Sequence, residues 1–147
     1  MKINLPRWAL LTCLLSLSLI FLAGTASAQE PKKYEDAQRI LEQLAEEIED
    51  FVLKMDGAET ANATAEALDA FAESMKPMVP KINAIGEKYP EIKDEDTHPE
   101  LLKPLLQRIE KDFGALMRAY AKVMEYKEVP VVKSADEKYK AVMKNLK

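Results

Sequence analysis

From Tyr34 onward, apolar residues recur at intervals of three and four. Tyr34, Ala37, Leu41, Leu44, Ile48, Phe51 and Met55 fall on one side of a 3.6-residue spiral, and no polar residue breaks the series. The spacing predicts an amphipathic helix ending near residue 55, because Asp56-Gly57 follows and a glycine can close a helix in the left-handed conformation without a Cβ clash. After Thr60 the rhythm resumes through Ala61, Thr64, Leu68, Phe71, Met75, Met78, Ile82, Ile85 and Tyr89. Pro77 and Pro80 interrupt its hydrogen bonding but not its phase, so the expectation is one helix bent near residues 76–80. Tyr89-Pro90 and the polar run from Glu91 to Asp96 mark the main connection.

Beyond that connection, Thr97-His98-Pro99-Glu100 has the pattern of a capping box and predicts the start of a third helix. Its seam reads Leu102, Leu106, Ile109, Phe113, Leu116, Tyr120 and Val123, widened by Leu105, Met117 and Met124, until Val129-Pro130 ends it. Pro104 should distort its first turns. A second box, Ser134-Ala135-Asp136-Glu137, predicts a short fourth helix carrying Tyr139, Val142, Met143 and Leu146. No segment alternates with period two. The fold class expected is therefore all-α: an antiparallel up-and-down helical bundle of three long helices and a short C-terminal fourth, each hiding an apolar face against the others.

The N-terminal thirty residues follow a different pattern. Lys2 and Arg7 precede a predominantly apolar run from Trp8 to Leu22, which leads into Ala26-Ser27-Ala28. Fifteen residues fall short of the ~20 that span a bilayer as a helix, and small residues at 26 and 28 suit a signal peptidase. Residues 1–28 are thus expected to be a cleaved signal peptide and 29–147 a single bundle domain, periplasmic or secreted, with no stable membrane anchor after cleavage. Thr25 occupies the place where a lipoprotein would need its cysteine. Trp8 and Cys13, the one tryptophan and the one cysteine, leave with the leader, so packing alone must hold the domain.

Charge is unevenly spread. Residues 29–96 carry eight Lys or Arg against 18 Asp or Glu, and 97–147 carry eleven against seven. The halves are electrically complementary, which should steer their docking if they pack against each other; if they do not, each is a patch for an outside partner. An acidic chain without a long basic stripe is not expected to bind nucleic acid.

Little remains for chemistry. No cysteine survives cleavage, and His98, at a helix start, is the one histidine, so a nucleophile–base pair is missing. One imidazole cannot build a zinc site. Met75-x-x-Met78, with Met55, Met117, Met124 and Met143, offers soft thioethers of the kind that hold Cu(I), yet the first two lie on the packing seam, where methionine fills irregular gaps. Glu46 and Asp50 form an i,i+4 acid pair on a polar helix face. Glu91, Asp94, Glu95 and Asp96 could gather a hard cation but lack the glycine-centred loop of a calcium site. Asn62-Ala63-Thr64 fits a glycosylation acceptor.

The leader, the heptad-patterned helices and the stretch from Lys88-Tyr89-Pro90 to Glu100-Leu101 resemble the soluble periplasmic b-type cytochromes of the four-helix kind, and the chain is also similar to small secreted helical proteins of bacteria. The first resemblance implies a four-helix fold and a haem held by a methionine early in the first helix and a histidine late in the last. Here the first helix carries its methionine at the far end, Met55, and the segment from Ser134 to Lys147 has no histidine, so neither ligand carries over. The function expected is a non-enzymatic extracytoplasmic bundle acting through protein or envelope contacts, without catalytic residues, metal or resident cofactor. The alternative is a carrier of haem b or copper. A homodimer could complete the burial that a short fourth helix leaves undone.

Overall fold

The computed structural model describes residues 30–94 and 97–146, without the side chains of Glu30 and Pro31. The expected leader, Glu95 and Asp96 lie outside the described residues. Two compact units divide the chain, Met1–Glu35 and Asp36–Lys147. In the first, Glu30–Lys33 makes one helical turn, and Lys33 Nζ donates to the Tyr34 hydroxyl at 2.7 Å. The second holds four helices: α1 (Glu35–Asp56, entering one residue earlier), α2 (Ala61–Lys88), α3 (Lys103–Glu125) and α4 (Pro130–Met143). No strand occurs among the described residues. Three long helices and a short fourth is the architecture the periodicity predicts.

Helix α1 buries Ala37, Leu41, Ala45, Ile48, Phe51 and Met55, one face of its spiral. It stops at Asp56, but Gly57 does not turn left-handed, since no described residue has positive φ. The carbonyls orphaned at this helix end are met differently. Gly57 N donates to Leu53 O at 3.2 Å, and Lys122 Nζ, reaching over from α3, donates to the carbonyls of Met55, Asp56 and Ala58 at 2.8, 2.9 and 3.3 Å. An ammonium at the negative end of the helix dipole replaces the glycine cap that the sequence suggests.

Helix α2 opens with Thr60, whose Oγ1 accepts from Ala63 N at 3.2 Å. It runs without interruption through Pro77 and Pro80, both solvent-exposed, so the continuous seam outweighs the two missing hydrogen bonds. The beginning of α1 is tied to its far end: Asp36 accepts from Lys88 Nζ at 2.7 Å and from the Tyr89 hydroxyl at 2.8 Å. Phe51 stacks on Phe71 with ring centroids 4.5 Å apart. Together these contacts set α1 and α2 antiparallel.

Neither expected capping box forms. Thr97 Oγ1 instead donates to the carbonyls of Glu91 and Asp94, holding the 3-10 turn Pro90–Lys93, and α3 begins only at Lys103. Pro104 explains the delay. In a helix begun at His98 it would stand in the interior and forfeit a bond, whereas in the first turn its absent N–H costs nothing. By the same logic α4 starts at Pro130, four residues ahead of Ser134. Proline there opens a helix where its role was expected to be ending one.

Helices α1 and α3 run one way, α2 and α4 the other. Arg108 reaches Glu49 at 2.8 Å, and Lys138 reaches Asp69 at 3.1 Å, so the parallel pairs α1/α3 and α2/α4 are each bridged between the acidic and the basic half of the chain. The most extensive contact between helices is the parallel pair α2/α4, and the small residues Ala65 and Ala72 of α2 and Ala135 of α4 are buried. A ladder of rings then links all four helices: Phe51 on Phe71, Phe71 on Tyr139 at 5.9 Å, and Tyr139 against Tyr120 at 5.7 Å. Around it Met55, Leu68, Met75, Leu116, Val123 and Val132 fill one contiguous core.

Candidate interaction surface

Helix α3 does not bury the whole seam that its sequence suggests. Leu116, Ala119 and Val123 face the core, with Leu102 sealed just ahead of the helix. Phe113, Met117 and Met124 lie roughly a quarter-turn round the spiral and remain 54%, 56% and 50% exposed. This corrects the expectation that all three pack inward. The apolar arc from Leu102 to Met124 is wider than the one face a helix can present to its neighbours, and the short α4 cannot wrap the remainder.

The uncovered stripe continues toward the start of α3 as Leu106, and Ala121 is exposed beside it. Gly114 sits between them. A Cβ built there meets only the Arg118 guanidinium, at 3.8 Å, so nothing in the fold requires a glycine at that point. A mid-helix glycine nevertheless costs about 1 kcal/mol relative to alanine. Exposed charges flank the stripe. Glu110 and Arg118 have no salt-bridge partner among the described residues, and their helical neighbours three and four positions away carry no opposite charge.

Where α3 passes the inter-helix connection, a groove of about 620 Å³ opens between Ile92, Lys93 and His98 on one wall and Leu106, Ile109 and Phe113 on the other. His98 is half-buried there, and no methionine lines the groove among the described residues. A second groove, about 490 Å³, runs between α2 and α4 over Val79, Pro80, Ala141 and Val142. Its rim lysines are already engaged, Lys76 with Glu73 at 2.5 Å and Lys138 with Asp69.

The remaining candidates separate. Met55, Met75 and Met78 are buried in the core, Met143 packs against it, and Met117 and Met124 point outward. Glu46 is exposed, while Asp50 pairs with Lys54 at 2.6 Å, so the two acids do not converge on a common site. Glu91 lies within the 3-10 turn and Asp94 just after it, and both give their backbone carbonyls to Thr97. Asn62 is exposed, but Thr64 is fully buried. No group of three or more His, Cys, Asp or Glu side chains among the described residues could hold a metal ion.

Two polar networks carry shifted groups. Hydrogen bonds from Lys88 and Tyr89 hold the Asp36 carboxyl down at about 2. On the other side, the Tyr120 hydroxyl donates to Asp136, which also pairs with Lys140 at 2.5 Å. Burial, then the adjacent carboxylate, push the Tyr120 phenol well above its usual range. A phenol so held keeps its proton, which suits a structural hydrogen bond and works against general-base chemistry. Two of the four helices meet at this network, α3 through Tyr120 and α4 through Asp136.

No protein-family model, curated protein or solved structure matches the chain. Among the described residues no helix is long and apolar enough to cross a membrane.

Proposed function

We propose that the chain works outside the cytoplasm as a non-enzymatic helical bundle that binds protein through the outward stripe of α3. The observation that carries this reading is the row Phe113, Met117 and Met124, three large apolar side chains left half-exposed on one helix edge. Single exposed apolar residues are ordinary, whereas a row of them framed by charge is how contact surfaces are built. Methionine suits such a surface, because its flexible thioether adapts to a partner's shape. The leader pattern of residues 1–28 supports the extracytoplasmic setting.

Incorporating a photo-crosslinking phenylalanine analogue at position 117 in the producing cell, with mass spectrometry of the adducts, tests the reading. A discrete protein adduct is expected at 117 and none at Lys133, an exposed position on α4. Adducts with lipid alone, or turnover of a substrate by the purified protein in a broad hydrolase and redox screen, would overturn it.

A further inference from the structure

We infer that the partner of the α3 stripe is a second copy of the same chain, the two α3 helices lying antiparallel about a two-fold axis at Gly114. The inference rests on the protein-contact reading above and names the occupant. A two-fold axis brings each residue on one side of Gly114 opposite the residue equally far on the other side in the mate.

The charges along this face fit that operation. Glu110 and Arg118 stand four residues before and after Gly114, and Lys103 and Glu125 stand eleven before and after. All four lie within about 40° of the direction in which Gly114 points, given 100° per residue. Docking about Gly114 therefore sets Glu110 against the mate's arginine at 118 and Lys103 against its glutamate at 125, and each pairing occurs twice. Lys103 already makes an exposed ion pair with Glu100, at 2.5 Å, and Glu110 and Arg118 have no salt-bridge partner among the described residues. Gln107 and Ala121, seven residues to either side, meet without a charge clash.

The apolar edge obeys nearly the same symmetry. Phe113 and the mate's methionine at 117, and Leu106 and its methionine at 124, are centred one residue further on, at 115; about Gly114 each pair lies on the same edge of the contact with an offset of about 3 Å along the helix, within reach of a flexible thioether. Neighbouring registers fail. Moving the axis one turn either way places Glu110 or Arg118 on its own symmetry mate, like charge on like. Gly114, which the monomer does not need, gains a purpose: it stands at the crossing point, where a missing side chain lets two backbones approach closely. Such a two-helix contact falls at the small end of specific interfaces, so the dimer should be in dynamic exchange with monomer.

Sedimentation velocity on the protein produced from its full-length gene, over ~1 to ~300 µM, tests the inference against four species: wild type, Glu110→Arg, Arg118→Glu and the double exchange. Wild type should pass from monomer to dimer. Each single reversal turns two attractive pairs into two repulsive ones and should weaken the dimer at least about tenfold, whereas the double exchange restores both pairs and should return it to within about threefold of wild type. Both positions are exposed on α3, and unchanged thermal melts at low concentration verify that the monomer fold is intact. Wild type that stays monomeric throughout, or a double exchange no better than the single ones, overturns the inference. If wild type is monomeric while position 117 still crosslinks to another protein in cells, self-docking fails alone; if neither contact appears, the protein-contact reading fails with it.

Discussion

Replacing Thr64 with valine should make this protein more stable. Thr64 lies on α2 with none of its surface exposed, and its hydroxyl oxygen has no hydrogen-bond partner among the described residues. Taking a hydroxyl out of water without a partner costs about 1–3 kcal/mol in proteins. Valine keeps the shape and the β-branch, so helix propensity and χ1 restriction are nearly unchanged, and a methyl group replaces the stranded oxygen. The expected gain is about 1–2 kcal/mol, which for a domain of this size corresponds to roughly 4–10 °C in Tm. Thr64→Ser provides the opposite arm: it keeps the hydroxyl and deletes a buried methyl, and should lose about 1 kcal/mol. Urea unfolding followed by circular dichroism measures both, with unchanged m-values certifying that the denatured state is not what moved. A helical threonine can also return its hydroxyl to the carbonyl four residues back. Thr60 O already accepts from Thr64 N at 2.9 Å, and if it accepted the hydroxyl as well, valine would destabilise. A drop in the urea midpoint for Thr64→Val refutes the reasoning.

Four further outcomes follow from the contacts described above. Lys122→Met should cost about 1–3 kcal/mol, because it strips the ammonium from three carbonyls at the end of α1 while preserving the alkyl stem; hydrogen exchange should show faster opening at residues 52–58 than elsewhere. Stability should decline as pH falls from about 4 toward 2, since Asp36 is held at about 2 against an ordinary 3.8 and must be protonated there; a depressed carboxylate stabilises above its unfolded value and loses that contribution on acidification, so Asp36→Asn should flatten the acid limb. Tyr120 has the opposite sign, its raised phenol losing its contribution as pH climbs past the ordinary tyrosine range, so Tyr120→Phe should flatten the alkaline limb. Gly114→Ala, measured dilute, should raise the stability of the monomer by about 0.5–1 kcal/mol, because the site is open and helical; no gain there would mean that the fold itself needs the glycine.

The number, order and length class of the helices were legible because an apolar seam of period 3.6 depends only on local sequence and on the presence of some partner face. The halves' opposite charges agree with the bridges Glu49–Arg108 and Asp69–Lys138, though no local pattern named those partners. Helix starts were less legible. Capping boxes at Thr97 and Ser134 are locally favourable, but Pro104 and Pro130 govern where an uninterrupted ladder can begin, and tertiary packing favours the start that keeps each proline in a first turn. The end of α1 was hidden for another reason. Its cap, Lys122, lies far along the chain, and no local rule brings it there. As for the candidate surface, Phe113, Met117 and Met124 looked like core because burial by a fourth helix depends on how far that helix reaches. The usable signals were an apolar arc too wide for one face and a glycine with no turn to make.

Limited oxidation by hydrogen peroxide, followed by peptide mass spectrometry, tests most directly the claim that this bundle holds a methionine-bearing edge outward for contact. At low protein concentration Met117 and Met124 should be oxidised well before Met55, Met75 and Met78, which are nearly sealed from solvent. Raising the concentration should then protect Met117 and Met124, the two methionines on the docking edge. Oxidation of Met75 or Met78 in the folded protein as fast as Met117 would contradict the account.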